Sequence, residues 1–175
     1  MRRTRTLFTP SIQGFGHPAL RRKSRRISPQ AIRSPEVQRL IKEMFRALRN
    51  AHGVGLAASQ VGVPHSLAVI NIPSGKSKFR GVILNPQIIS RSKSNIPSWE
   101  GCLSLPGMRG KVQRSRTIRV RFRDENAEQH DLKVSGYLSR VFQHEIDHLQ
   151  GILFLDRNLD LRSVMTAKEY RSRVS

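Results

Sequence analysis

The chain has 175 residues, 37% hydrophobic and 25% charged, the make-up of a single folded domain, residues 1–175. No apolar run approaches the length of a membrane-spanning helix, and a single cysteine, Cys102, excludes an internal disulfide. The 32 Lys+Arg against 12 Asp+Glu give a formal charge of +20, a surface that attracts polyanions such as RNA, or else one that only solubilises the protein.

Residues 1–30 are basic, broken by Pro10, Pro18 and Pro29, and no acid precedes Glu36. They predict an arm that settles onto the domain, with residues 1–13 as its basic N-terminal part. Ser34-Pro35-Glu36 is a helix start, with cap, first-turn proline and first-turn acid. Val37, Leu40, Ile41, Met44 and Leu48 follow at helical spacing, and the helix should end near Gly53. Strand signals come next. Leu67–Ile72 is an apolar run, and 81–90 is a second, interrupted by Asn85-Pro86, which marks an edge or a bulge. Over Thr117–Arg123, Ile118, Val120 and Phe122 alternate with Arg119, Arg121 and Arg123, and Leu132 and Val134 continue the pattern. This indicates antiparallel sheet with one solvated, basic face. A second helix is predicted from about Gly136 to Gln150, stopped by Gly151. Residues 162–175 predict a short basic C-terminal helix. Strands and helices are segregated, so the fold class is α+β.

Residues 144–148 read His-Glu-Ile-Asp-His. On a helix, residues four apart share a face, so both imidazoles reach one ion. Glu145 sits about 100° around from His144, where it touches a water on that ion. A cation that acidifies water and a carboxylate that takes its proton make a metal-dependent hydrolase. The bland alternative is a polar helix surface, but Leu138, Val141, Phe142 and Leu149 flank the motif and make the helix half-buried. A catalytic site of this kind needs a third ligand. Phe154 stands where the extended zinc-protease pattern has its third His, leaving Glu169 and Cys102 as candidates. Taken alone, Cys102 reads equally as an inert buried thiol. The segment Gly53-Val54-Gly55-Leu56-Ala57-Ala58-Ser59-Gln60 contains a dinucleotide-like glycine pattern. A helix precedes it rather than a strand, and Pro64 follows, so it reads instead as a tight turn that brings backbone close to a ligand.

Together and in this order, Gly53–Gln60, Glu100-Gly101-Cys102-Leu103-Ser104 and His144–His148 resemble the three signature motifs of the peptide deformylases. The similarity runs from about Gly14 to Glu169. The resemblance implies antiparallel sheets wrapped around a central metal-binding helix, with an N-terminal and a C-terminal helix. It implies that Cys102, His144 and His148 bind one divalent ion, ferrous iron first, with zinc, nickel or cobalt able to substitute. The substrate would be the N-formyl group on the initiator methionine of a newly made polypeptide. Hydroxide on the ion would attack the formyl carbon, with Glu145 as general acid and base. Gln60 and the Leu103 backbone N–H would steady the oxyanion. Val54, Gly55, Glu100, Gly101, Arg109, Tyr137 and Val141 would line the substrate site.

Departures from the family pattern are few: Ser59, His52 where an acid is frequent, and Arg140 near the methionine pocket. Asp147 reads equally as support for the ligands or as a helix-surface partner. A monomer with no membrane partner is expected; since deformylases act on chains leaving the ribosome, the basic arm or C-terminal helix is expected to touch ribosomal RNA, although such basicity is not a family requirement. The Arg- and Ser-rich start resembles a transit peptide, but residues 1–13 leave little room for one, which favours the cytoplasm over an organellar matrix or stroma. Two other readings stand beside this: a zinc endopeptidase with Glu169 as third ligand, and a nucleic-acid-binding module in which the motifs are structural.

Overall fold

The computed structural model describes residues 10–157 and 160–174. Residues 1–9 of the 1–13 arm, residues 158–159 and the last residue of the expected 162–175 helix therefore lie outside the described residues. Helix α1 (Pro29–Ile32) leads directly into α2 (Pro35–Asn50), where the Ser34 hydroxyl accepts from the Val37 N–H and Pro35 opens the first turn. Strands β1 (Gly55–Ala57), β2 (Leu67–Ile72) and β3 (Phe79–Arg91) follow, then β4 (Asn95–Cys102), β5 (Leu105–Ser115), β6 (Thr117–Arg123) and β7 (Gln129–Ser135). Helix α3 spans Gly136–Leu149, and β8 (Met165–Thr166) and α4 (Ala167–Val174) close the chain.

The strands form two sheets, one of five in the order β1-β2-β3-β6-β7 and one of three in the order β4-β5-β8. All named pairings are antiparallel. The five-stranded sheet lies between α2 and α3, and the period-two side-chain rule explains how. Leu67 and Val69 of β2 pack with Val37, Ile41, Met44 and Leu48 of α2. Their neighbours Ala68, Ile70 and Ile72 pack with Val141, Phe142, Ile146 and Leu149 of α3. A strand covered on both faces reads as a continuous apolar run. Strand β6 is covered on one face only: Ile118, Val120 and Phe122 join the α3 cluster while Arg119 and Arg121 face solvent. Each fully buried Leu, Ile or Phe contributes about 1.5–3 kcal/mol, so α3 is held mainly by this apolar flank. That leaves its other flank free for polar residues.

Asn85-Pro86 proves to be a bulge on an interior strand, not an edge. Asn85 adopts φ 52°, and its amide bonds the Ile27 N–H at 2.9 Å and the Ile27 carbonyl at 2.7 Å. The bulge thereby pins the described part of the N-terminal segment at Ile27. Gly151 ends α3 at φ 76°, and a Cβ there would sit 2.5 Å from the Arg21 carbonyl oxygen. Two expectations need correction. Helix α2 ends at Asn50, before the Gly53 expected. The C-terminal helix starts at Ala167 rather than 162, because Met165 and Thr166 first pair with Arg109 and Met108 of β5. Among the described residues, no helix is long and apolar enough to cross a membrane.

Candidate metal centre and cavity

The His-Glu-Ile-Asp-His segment forms the second half of α3, as its spacing predicts. Cys102 ends β4, where the hairpin turns into β5. The helix and the hairpin bring one donor atom each from Cys102, His144 and His148 within 4.8 Å of one another. The Cys102 sulfur lies 3.2 Å from His148 Nε2. Glu169, the alternative third ligand, is not in this group; its carboxylate pairs with Arg173 inside α4 at 3.0 Å. Phe154, where a third His was sought, is buried with its ring stacked at 6.5 Å from that of His144.

The donor set fits a metal. Two imidazoles and a thiol suit iron, zinc, nickel or cobalt and not magnesium or calcium. Two polar atoms nearby, Glu145 Oε2 and His148 Nδ1, are buried without a hydrogen-bond partner among the described residues. Burial pushes the Glu145 carboxyl up to about 7, a value suited to exchanging protons near neutrality. His148 is buried beside His144 and Arg114, which holds it well below the ordinary imidazole range. His144 goes the other way: burial opposes its charge, but Cys102 and Glu100 outweigh it. A bound cation would compete with that proton.

Gln60 sits in a buried helical turn over Ala58–Val61. Its Oε1 accepts the Ala57 N–H at 2.8 Å, which orients Nε2 toward the Cys102 sulfur at 3.4 Å and the Ser104 hydroxyl at 3.2 Å. The backbones of Gln13 and Phe15 donate to the Gln60 and Ser104 carbonyls, stitching the two loops together. Gly55 is required by close approach: a Cβ there would fall 2.2 Å from Glu145 Oε1. The same holds at Gly101, where a Cβ would lie 2.0 Å from Arg109 Nη1.

A cavity of about 400 Å³ opens over this floor. It is lined by every expected site residue except His148, which lies buried behind it: Val54, Gly55, Gln60, Glu100, Gly101, Cys102, Leu103, Arg109, Tyr137, Val141, His144 and Glu145. Glu100 borders the cavity, and its carboxylate is taken up by protein partners. It accepts Arg114 through both oxygens at 2.8 and 2.9 Å and meets His144 Nδ1 at 2.8 Å. Burial alone would raise this carboxyl, but Arg114 and His144 hold it down at about 2. The Glu100 carboxylate is thus engaged by Arg114 and His144, and the residue still lines the cavity where it was expected. Asp147 is resolved in the same way: it is buried and paired with Arg114 and Arg157, each at 2.5 Å.

The sequence reading missed Arg114 and the β4–β5 hairpin that carries it. The available signal was the alternation Gly110, Val112, Arg114, which puts all three on the buried face. Trp99 was also missed as a wall of the cavity.

Residues 10–164 match the family model described as polypeptide deformylase. A peptide deformylase of Leptospira biflexa is 44% identical over 153 residues, covering 83% of this chain and 86% of the relative. One from Picosynechococcus is 43% identical over 144 residues, covering 82% and 75%. Among solved structures, a peptide deformylase from Synechococcus elongatus in complex with actinonin superposes with a TM-score of 0.82 at 34% identity, covering 89% of this chain and 82% of that one. The peptide deformylase of Thermotoga maritima gives a TM-score of 0.81 at 31% identity, covering 87% and 99%. The chain belongs to the polypeptide deformylase family, metal-dependent hydrolases that remove the N-formyl group from newly made polypeptides.

Proposed function

We propose that the cavity floor is the deformylation centre, with Cys102, His144 and His148 holding one divalent ion and Glu145 moving the proton. The observation that carries this is the pairing of a buried two-imidazole, one-thiol cluster with a buried carboxyl whose Oε2 has no partner among the described residues. When bound, the ion supplies Lewis acidity, polarising the formyl carbonyl and acidifying a water. Ferrous iron is the favoured occupant, and the same ligands suit zinc, nickel or cobalt.

Glu145 takes a proton from the attacking water as its oxygen bonds to the formyl carbon. It then returns that proton to the amine nitrogen as the C–N bond breaks, giving formate and a free amino terminus. The Gln60 amide, already oriented by the Ala57 N–H, and the Leu103 backbone N–H donate to the carbonyl oxygen. Strand β1 is an edge of its sheet, so its free side at Gly55 suits a peptide laid alongside as an added strand. Val54, Tyr137, Val141 and the His144 ring offer the methionine side chain an apolar wall, and Arg109 with Gly101 borders the outgoing peptide.

The test is release of formate from formyl-Met-Ala-Ser by metal-loaded protein without oxygen. Activity that decays in air with iron and persists with nickel or zinc supports the ferrous assignment. A peptide hydrolysed equally with and without its formyl group would overturn the reading.

We infer further that residues 1–175 act as one monomeric domain in the cytoplasm, close to ribosomes. The +20 charge supports RNA contact. Four cations of the N-terminal segment, Arg22, Lys23, Arg25 and Arg26, are exposed on a backbone tied to Leu149 and to the 64–66 loop. Binding to ribosomes without salt dependence would refute this contact.

A further inference from the structure

The wall of the cavity carries cations and no free acid. Arg140 lies on α3, one turn before His144. Its guanidinium stacks over the Tyr137 ring, 4.8 Å from the centroid, and Nη1 points to the Trp99 carbonyl at 3.4 Å. It therefore bridges helix and hairpin at the cavity wall, with its stem half-buried. Arg109 lines the same cavity, folded over Gly101, with Nη1 donating to the Met108 carbonyl at 2.8 Å. Among the described residues, neither arginine has a carboxylate partner.

The two lining carboxylates cannot neutralise them. Glu100 is closed off by Arg114 and His144, and Glu145 is buried against Gly55. At the edge of the cavity, next to Gly53, stands His52 rather than an acid. A substrate held by its formyl-methionine end would lead its next residues out along this lining.

We propose that this rim selects formylated chains with an acidic side chain at the second or third position, and that Arg140 is the residue that sets the preference. The inference rests on the deformylation centre described above. Residues of an extended chain follow one another by about 3.3 Å, so both side chains pass the two guanidiniums. A carboxylate there gains an ion pair, and an ammonium meets uncompensated positive charge. Stacking on Tyr137 holds the Arg140 guanidinium in place before substrate arrives, which limits the entropy lost on pairing.

The experiment compares kcat/KM of metal-loaded, oxygen-protected protein on formyl-Met-Asp-Ala, formyl-Met-Lys-Ala, formyl-Met-Ala-Asp, formyl-Met-Ala-Lys and neutral formyl-Met-Ala-Ser. At low salt, Asp peptides are expected to exceed Lys peptides by about two- to five-fold, the range of exposed ion pairs. Half-molar salt should compress the ratio toward one. R140Q should remove most of it and R140K should keep it, with the neutral peptide much less affected than either charged one. An Asp-to-Lys ratio near or below one in the unaltered protein overturns the proposal, without recourse to any variant. So does a full preference surviving in R140Q. If the neutral peptide is not deformylated either, the deformylation centre itself fails, and this inference with it.

Discussion

Two ion-pair clusters in this protein share almost the same local geometry and differ in everything else. Near the metal centre, Arg114 grips Glu100 through two bonds of 2.8 and 2.9 Å. On the outer face of the sheet, Arg121 grips Asp131 through two bonds of 2.8 and 2.9 Å. The side chains of the first pair are 5% and 4% exposed, those of the second 44% and 26%. In the first, two ions removed from water must compensate each other, and losing one leaves a stranded charge. In the second, water stands ready to replace either partner. Bond lengths do not separate a pair that organises a site from one that decorates a surface; burial does, together with what lies at the far end. Beyond Glu100 is His144, and beyond Arg114 is Asp147, next to His148. Beyond Asp131 is only Arg119, at 3.6 Å.

The largest expected effect lies at the group this buried cluster surrounds. Glu145→Gln should lower kcat/KM by about 10²–10⁴-fold while bound metal is retained. A variant that loses its metal as well would make Glu145 a structural partner of the ligands instead. Gly55→Ala comes next. Its Cβ collides with the Glu145 carboxylate, so activity should fall by up to about 10²-fold with the metal still bound. An unchanged kcat would mean that Glu145 can retreat without consequence.

Arg114→Met then probes the cluster itself. It leaves Glu100 with His144 and Asp147 with Arg157 as remaining partners but removes the cation buried between the two carboxylates, so unfolding free energy should drop by about 3 kcal/mol, measured with urea. Equal losses from Arg114→Met and Arg121→Met would erase the contrast drawn here. The contrast has a pH signature too. The Glu100 carboxyl is held at about 2, against 4.5 for an unconstrained Glu. A depressed acid contributes stability that is complete above its unfolded value and is lost as pH falls through the folded one. The urea midpoint should therefore fall between about pH 4.5 and 2, and Glu100→Gln should flatten that descent. A slope unchanged in Glu100→Gln would assign the acid loss to other carboxylates.

The contrast also explains what the sequence disclosed. Regular burial was legible: α2, α3, β2 and β6 follow from apolar spacing, since a helix or strand between two layers must repeat at 3.6 or 2. The metal donors were legible because local spacing on one helix suffices for His144 and His148, and an unbroken motif surrounds Cys102. The β4–β5 hairpin was not. Pro97, Pro106, Gly107 and Gly110 interrupt it, and the only buried residues it gives an apolar cluster are Cys102, Leu105 and Val112, unevenly spaced, while other residues of it line the cavity. Arg114 hid in the same stretch, one arginine among Arg109, Arg116, Arg119 and Arg121. Its burial depends on which carboxylates face it across the fold, and Glu100 and Asp147 stand 14 and 33 residues away. Partners at that separation leave no local trace.

The smallest expected effect falls on the surface cluster, and it is the one that keeps the comparison sharp. Asp131→Asn keeps the shape of the side chain and removes its charge. It leaves Arg119 and Arg121 on a strand face where Arg123 and Lys133 also lie, so the repulsion is mild and screened by salt. The urea midpoint should move far less than in Arg114→Met, the shift should vanish at half-molar salt, and deformylase activity should stay as it was. The buried cluster should respond to salt hardly at all, because no ions reach it. A salt-insensitive loss in Asp131→Asn would mean that the outer face of the sheet is covered in the working protein, and that the two clusters are less different than their exposures state.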